Sequence, residues 1–136
     1  MNLVERHQLI YEFNQKGLYA ICEAIRNIKS RIIIIEGCSG SGKSTVIEAL
    51  VNNRANIFTS SNLKPYSGSF DTSPSKSNYI AVDEVEYFNS DQIIKFLLNA
   101  EAADKIALIA SQDIELFNKA MKGILDIEKP CLVRLK

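Results

Sequence analysis

Residues 31–45 read RIIIIEGCSGSGKST, an isoleucine-rich run that leads directly into a glycine-rich loop. A strand that ends at such a loop, with a helix beginning directly after it, is the context in which the pattern G-x-x-x-x-G-K-[ST] binds phosphate. Backbone N–H groups of the loop surround the anion, and the helix N-terminus adds partial positive charge. The sequence therefore predicts a phosphate-binding loop, which consists of Gly37, Cys38, Ser39, Gly40, Ser41, Gly42, Lys43, Ser44 and Thr45.

Each residue type in this loop has its own expected role in binding the phosphates of a nucleotide. The glycines let the backbone approach phosphate oxygens without a Cβ in the way. Lys43 is expected to neutralise charge on the β- and γ-phosphates, and the Ser44 hydroxyl is expected to ligate Mg²⁺. Lys43 is therefore a candidate catalytic residue and Ser44 a candidate metal ligand.

The composition of the 136 residues is that of one globular domain, with 46% apolar and 24% charged residues. Sixteen basic and sixteen acidic side chains give zero net charge, which argues against a protein that binds polyanions over its whole surface. No apolar run approaches the length of about 18 residues that indicates a membrane span, and the N-terminus is unlike a secretory signal. The three cysteines, Cys22, Cys38 and Cys131, form no disulfide or metal-binding pattern. We therefore expect a cytoplasmic protein.

Hydrophobic spacing predicts helix in two pieces from Leu3 to Lys29, with Gly17 ending the first piece. Residues 1–30 are expected to pack as a helical segment on a core formed by residues 31–136. Residues 60–78, rich in Ser, Pro and Gly, are predicted to form a long flexible loop. The predicted strands of the core are 31–35, 55–60, 79–83, 105–110 and 131–135. The predicted helices of the core are 43–52, 90–103 with an N-cap at Ser90-Asp91, and 113–122.

This alternation of strands and helices predicts an α/β fold. Successive parallel strands are joined by helices, and these helices cover both faces of the sheet. We therefore expect a three-layer α/β/α sandwich around a mainly parallel five-stranded sheet.

A second candidate site follows the predicted strand Tyr79–Asp83, where apolar residues lead to two acids, Asp83 and Glu84. In enzymes with a phosphate-binding loop, an aspartate at the end of such a strand holds the Mg²⁺ shell. An acid directly after it can polarise the attacking water. Asp83 is therefore the candidate metal ligand and Glu84 the candidate general base. A strand that ends in solvated acids is the alternative, and the loop upstream favours the catalytic interpretation.

With both motifs in this order, residues 31–135 resemble the P-loop NTPases of the division with an additional catalytic glutamate, to which the AAA+ group belongs. The resemblance implies that strand 105–110 lies between the phosphate-loop strand and the Asp83 strand. It also implies that a polar residue at the tip of this inserted strand, here Ser111 or Gln112, senses the γ-phosphate. A glutamine there is similar to DNA-pumping and conjugation-coupling ATPases. Capping of the helix that follows is the alternative role for this segment.

The chain departs from that division in two respects. The helical lid domain of AAA+ proteins, with its arginine, is missing after the last predicted strand. No arginine lies between Arg54 and Arg134, although a trans-acting arginine usually follows the inserted strand in the family. Such an arginine accelerates hydrolysis by several orders of magnitude. We therefore expect hydrolysis to be slow or to depend on a partner.

Three functions from different classes remain open. The first is an ATP-binding, Mg²⁺-dependent ATPase that acts as a small motor or switch subunit with a protein partner, a nucleic acid or further copies of itself. The second is a small-molecule or nucleotide kinase, which residues 40–45 also suit, although residues 55–130 lack the arginines of a kinase lid. The third is a nucleotide-binding interaction module with little hydrolysis, which would dock through Leu3–Lys29 and the serine-rich loop.

Overall fold

The computed structural model describes residues 10–13, 17–38, 41–52, 57–58, 78–112 and 131–135. These ranges contain six β-strands, three α-helices and one 3-10 turn. The strands are β1 Ile10–Phe13, β2 Ile32–Gly37, β3 Ile57–Phe58, β4 Tyr79–Val82, β5 Ile106–Ser111 and β6 Cys131–Leu135. The helices are α1 Leu18–Arg26, α2 Lys43–Val51 and α3 Ser90–Ala102, and the 3-10 turn is Val85–Tyr87. None of the described helices combines the length and the apolar character that crossing a membrane requires.

All six strands form one sheet in the order β1-β6-β2-β5-β4-β3, and every neighbouring pair is parallel. The phosphate-loop strand β2 lies inside the sheet, between β5 and β6. β5 separates β2 from β4, which confirms the strand order that the resemblance implies. Because the strands are parallel, the carboxyl ends of β2, β4 and β5 meet at the same edge of the sheet.

Alternate side chains of the strands enter two apolar clusters, because successive residues of a strand point to opposite faces of the sheet. Helices α1 and α2 cover the first face, whose buried residues include Ile21, Ile25, Ile33, Ile35, Ile47, Leu108 and Val133. Helix α3 covers the second face, whose buried residues include Ile34, Ile80, Phe96, Ile109 and Leu132. With both faces covered, β2 is a continuous run of buried isoleucines and not an alternating strand.

The N-terminal segment differs from the prediction. Residues 10–13, predicted as helix, form strand β1, which pairs in parallel with β6. Backbone pairing with the edge of β6 outweighs a helical spacing that, in so short a segment, does not distinguish helix from strand. The sheet consequently has six strands where five were predicted. Gly17 is the N-cap of α1, which confirms the second predicted helical piece. The rest of the first predicted piece, residues 3–9 and 14–16, lies outside the described residues.

The N-terminus of α3 also differs from the prediction, because its N-cap is Asn89 and not Ser90 or Asp91. The Asn89 side chain accepts a hydrogen bond from the backbone N–H of Gln92 at 2.8 Å. The Gln92 side chain in turn accepts one from the backbone N–H of Asn89 at 2.9 Å. This reciprocal capping box satisfies two backbone donors, whereas a simple cap satisfies one.

The remaining elements of the core agree with the sequence where the structure describes them. Helix α2 and strands β2, β4, β5 and β6 confirm the predicted elements within a few residues, and β3 occupies the middle of the predicted strand 55–60. The predicted loop 60–78 lies, apart from Asn78, outside the described residues. The predicted helix 113–122 lies outside them entirely.

The buried thiol of Cys131 on β6 leads to a prediction about alkaline pH. Burial raises the pKa of Cys131 from 9.0 to about 11, because the thiolate is poorly solvated there. As the pH rises from 9 to 11, the unfolded chain loses this proton while the folded chain keeps it. The folded state then binds more protons, so the free energy of unfolding falls with rising pH. We expect Cys131→Ala to lose less stability than the wild type over this range in denaturant titrations.

The matched control is Cys38→Ala, because the Cys38 thiol is exposed. This variant should show the pH dependence of the wild type. Equal losses of stability in the wild type and in Cys131→Ala would contradict the prediction, since they would mean that the buried thiol titrates alike in the folded and unfolded chains.

Candidate functional site

Three polar segments lie together at the carboxyl edge of the sheet. Gly37 ends β2 and opens the phosphate loop, Asp83 directly follows β4, and Ser111 ends β5. The pairing of β5 with both β2 and β4 brings the three strand ends side by side. The three segments, which the sequence analysis identified separately, are therefore neighbours at one edge of the sheet.

The phosphate loop is described except for Ser39 and Gly40. It ends at Gly42, the N-cap of α2, whose φ of 96° lies in the left-handed region that glycine adopts without a Cβ penalty. Helix α2 begins directly at Lys43, and Thr45 is exposed in its first turn. The first backbone N–H groups of a helix have no partner within the helix, so this arrangement presents donors to an anion.

Gly37 is required for a different reason, which is close packing. A Cβ built at this position would lie 2.3 Å from the Ser41 hydroxyl oxygen and 3.0 Å from the Leu135 carbonyl oxygen. The start of the loop thus lies between the Ser41 side chain and the backbone at the end of strand β6. Only a residue without a side chain fits there.

Lys43 is held by the loop itself. Its ammonium group donates hydrogen bonds to the carbonyl oxygens of Gly37 and of Cys38, the latter at 3.1 Å. These carbonyls are partial negative charges on the loop's own backbone. The positive charge is therefore kept within the loop, where the sequence predicts that phosphates bind.

Ser44 and Asp83, the two predicted metal ligands, are in direct contact. The Ser44 hydroxyl donates to Asp83 Oδ2 at 2.7 Å, across 39 residues of sequence. The second carboxylate oxygen, Oδ1, accepts the backbone N–H of Glu84 at 2.9 Å, and the backbone N–H of Asp83 donates to the Phe58 carbonyl at 2.8 Å. These bonds fix the Asp83 carboxylate at the start of α2. The structure thus brings together the residues that the two motifs contribute separately.

The donor set at this contact suits Mg²⁺. One hydroxyl and one carboxylate are oxygen ligands, and Mg²⁺ usually keeps several waters and binds through one or two protein ligands together with substrate phosphates. Within the described ranges, no cluster of three or more His, Cys, Asp or Glu side chains is arranged to hold a metal. A metal bound at Ser44 and Asp83 would therefore need the further oxygens that a nucleotide and water supply.

The Ser41 side chain of the loop has an unusual environment. Its hydroxyl oxygen is buried and, among the described buried side chains, is the polar atom that has no hydrogen-bond partner. An unpaired buried hydroxyl costs about 1–3 kcal/mol, so its presence in a native structure needs an explanation. A loop that rearranges around phosphate would provide one.

Glu84 has an unusual backbone conformation for its residue type. With φ 55° and ψ 56°, it lies in the left-handed region, and its side chain is exposed. Such a conformation costs roughly 1–2 kcal/mol for an L-residue other than glycine. Strained residues of this kind concentrate at functional sites. Glu84 thus combines this backbone conformation with an exposed side chain directly after Asp83 in the chain.

The two sensor candidates are in different environments. The side chain of Ser111 has no exposed surface, whereas Gln112, the next residue, is exposed. A ligand at the edge of the sheet can contact an exposed side chain without rearrangement of the core, so the geometry favours Gln112. The alternative role in capping the next helix lies outside the described residues.

Sequence reasoning missed one part of this edge, the ion pair between Glu36 and Arg134. Arg134 Nε donates to Glu36 Oε1 at 2.8 Å, and both side chains are largely buried. The signal in the sequence was a single acid at the end of the isoleucine run and a single base in the last apolar strand. Pairing these two residues requires knowledge that β2 and β6 are neighbours.

No protein-family model matches this chain, and no curated protein sequence matches it either. The site is therefore interpreted from its own geometry.

The packing around Gly37 leads to a prediction. Gly37→Ala should lower the free energy of unfolding by about 1–3 kcal/mol, because the added methyl group overpacks the loop against backbone atoms. Gly17→Ala is the matched control, since nothing lies within 4 Å of the added Cβ. It should cost at most about 1 kcal/mol, through a weaker N-cap of α1. Equal effects of the two changes in denaturant titrations would contradict the close packing at Gly37.

The strained backbone at Glu84 leads to a second prediction. Glu84→Gly should raise the free energy of unfolding by up to about 1 kcal/mol, because glycine relieves the left-handed strain while adding some entropy to the unfolded chain. Asn52→Gly is the control, because Asn52 has φ 54° but belongs to a residue type that tolerates this region. Its gain should be smaller. A loss of stability in Glu84→Gly would show that the Glu84 side chain makes stabilising contacts.

Proposed function

We propose that this chain is an ATP-binding P-loop protein and a Mg²⁺-dependent ATPase. The observation that carries the proposal is the 2.7 Å hydrogen bond between Ser44 and Asp83. A serine that ends a phosphate loop and an aspartate that ends a neighbouring strand are the two protein groups that hold Mg²⁺ in P-loop NTPases. Each of the two motifs supports the proposal by itself. Their direct contact in the structure argues against a chance occurrence of both patterns in the sequence.

The architecture supports the same proposal. We infer a three-layer α/β/α sandwich of the P-loop type, with α1 and α2 on one face of the sheet and α3 on the other. The inserted position of β5 between β2 and β4 is the strand order that the resemblance to the additional-glutamate division implies. Adenine is the default base, because no residue on the described surface singles out another.

Residues 37–45 would bind the phosphates through backbone N–H groups and through Lys43. The Lys43 ammonium would exchange its contacts with the Gly37 and Cys38 carbonyls for phosphate oxygens. Ser44 and Asp83 would hold Mg²⁺, which when bound neutralises phosphate charge and favours release of the leaving group.

Glu84 would act as the general base. Its exposed carboxylate accepts a proton from water, the water oxygen forms a bond to the γ-phosphorus, and the bond from that phosphorus to the β–γ bridging oxygen breaks. The electron pair leaves with ADP, and the products are ADP and inorganic phosphate. Gln112 would contact the γ-phosphate from the end of β5.

A partner is expected to complete the site, because the described arginines are already engaged. Arg26, Arg31 and Arg134 each lie within 4.0 Å of a carboxylate of the same chain. An arginine that stabilises the transition state would then come from a protein partner or from another copy of the chain, as in other P-loop enzymes. We therefore propose a motor or switch subunit with slow basal turnover, whose partner is a protein or a nucleic acid.

Two other functions would use the same loop. A small-molecule or nucleotide kinase would transfer the γ-phosphate to an acceptor other than water. A nucleotide-binding interaction module would bind ATP and hydrolyse little. Glu84 argues against the interaction module, because an exposed acid directly after Asp83 is placed to accept a proton during phosphoryl transfer. Turnover with water as the acceptor would separate the ATPase from the kinase.

The test is phosphate release from Mg²⁺-ATP by the wild type, Lys43→Ala and Glu84→Gln. Glu84→Gln should lower the rate by about 10²–10⁴-fold, the contribution of a general base, while leaving ATP affinity nearly unchanged. Lys43→Ala should lower both the affinity and the rate, the latter by about 100-fold or more, because it removes the charge aimed at the β/γ-phosphates. Single- and double-stranded DNA are then added in turn.

Matched controls are Lys95→Ala and Glu101→Gln, which change exposed residues of the same types on α3, outside the site. Both should retain the wild-type rate. ATP binding that depends on Lys43 without phosphate release under any condition would reject the ATPase and leave the kinase or the interaction module. Stimulation by DNA would identify a nucleic-acid-dependent motor.

A further inference from the structure

The ion pair between Glu36 and Arg134 joins the phosphate-loop strand to the last strand of the sheet. The two residues are register partners on β2 and β6, and Arg134 Nε lies 2.8 Å from Glu36 Oε1. The Glu36 side chain is 16% exposed and that of Arg134 33%. Glu36 is also in register with Ser111 on the other side, so the pair lies in a polar row across the central strands.

At this row, the side chains of β2 and β6 change from apolar to polar. The preceding positions of β2 and β6 are apolar and buried, Ile32–Ile35 and Cys131–Val133. Removing the cation from beside a largely buried carboxylate is unfavourable, so the Arg134 guanidinium supports the Glu36 carboxylate in this position. Buried ion pairs add little net stability compared with apolar residues, and fixing one arrangement of the chain is a better attested use of them.

The arrangement that this pair would fix is the entry into the phosphate loop. Glu36 directly precedes Gly37, and Arg134 directly precedes Leu135, whose carbonyl oxygen approaches the Cβ position of Gly37 to 3.0 Å. The Gly37 carbonyl in turn accepts a hydrogen bond from Lys43. The ion pair thus lies one residue away from the close backbone contact on which the shape of the loop depends.

We propose that the Glu36–Arg134 ion pair positions the phosphate loop, and so sets the affinity for nucleotide phosphates without touching the nucleotide. The inference rests on the proposed function, because it assigns a positioning role within the same site. Arg134 would act through Glu36, and Glu36 through the backbone of Gly37. Asp83 and Glu84 follow β4, which β5 separates from β2, so the pair should affect binding more than the chemical step.

A second ion pair, next to the opposite end of β2, provides a control. Arg31 directly precedes β2 at its other end, and its guanidinium lies 2.8 Å from Asp104 Oδ1. The two pairs have the same N–O distance, and each includes a residue near one end of β2, Arg31 just before it and Glu36 within its last two residues. The Arg31 pair is more exposed and lies far from the phosphate loop, at the amino edge of the sheet.

The experiment measures the dissociation constant for Mg²⁺-ATP by calorimetry, the melting temperature, and kcat and KM for hydrolysis. The variants are Arg134→Met, Arg134→Lys, Glu36→Gln, the charge-reversed double variant Glu36→Arg/Arg134→Glu, and the control Arg31→Met. Arg134→Met and Glu36→Gln should raise the dissociation constant by about tenfold or more, as loss of residues that orient a ligand-binding group does. KM should rise in parallel and kcat should change little.

Arg134→Lys keeps the positive charge and is therefore less disruptive to folding than Arg134→Met. Its dissociation constant for Mg²⁺-ATP should lie between those of the wild type and Arg134→Met. The charge-reversed variant should recover part of the lost affinity, because it restores the pair in the opposite orientation. Arg31→Met should keep the affinity of the wild type. Equal affinity in Arg134→Met and Arg31→Met would overturn the inference, as would a loss of affinity that only follows the melting temperature.

Failure of the proposed function can be told apart from failure of this inference. If the wild type binds ATP but releases no phosphate, the ATPase proposal is rejected. The ATP affinities of the variants would still show whether the Glu36–Arg134 pair positions the loop. A wild type that binds no ATP overturns both. Binding and hydrolysis that depend on Lys43 and Glu84 but not on Arg134 overturn the inference alone.

Discussion

The parallel pairing of β2 with β5 on one side and β6 on the other is the constraint on which the rest of the structure depends. It places both faces of the isoleucine run in the core and directs the glycine loop to the carboxyl edge of the sheet. A slip of one residue would move every side chain of β2 to the opposite face. The same register that buries Ile33 and Ile35 beneath α2 therefore also sets Glu36 against Arg134 on the side covered by α3.

Local patterns in the sequence predicted the parts of the molecule that depend on a few adjacent residues. The phosphate loop, the acids Asp83 and Glu84 and most core strands fall in this class, since glycine spacing and apolar runs are visible without a partner. The strand at residues 10–13 could not be recognised, because its spacing suits a helix equally well and pairing with β6 decides between them. Glu36 and Arg134 are 98 residues apart, so only the order of the strands makes them neighbours.

The same distinction separates the candidate residues of the site. The roles proposed for Lys43 and Ser44 come from their positions in a motif, and the contact of Ser44 with Asp83 is compatible with them. The choice between Ser111 and Gln112 depends on exposure, which the sequence does not contain: one side chain is enclosed by the sheet, and the next is not. The left-handed backbone of Glu84 was equally invisible, because glutamate is a residue type that rarely adopts it.

The hydrogen bonds of Lys43 to the loop carbonyls have a consequence for selectivity among anions. An incoming anion must compete with two intramolecular acceptors that are already in place, so the free energy of binding is the difference between the new contacts and those that are lost. A small monovalent ion such as chloride or acetate would offer few new contacts in exchange for the two that are lost. A polyphosphate, which presents several charged oxygens at once, gains much more. If the loop binds phosphates as proposed, the same two hydrogen bonds would make it discriminate between anions by their charge density.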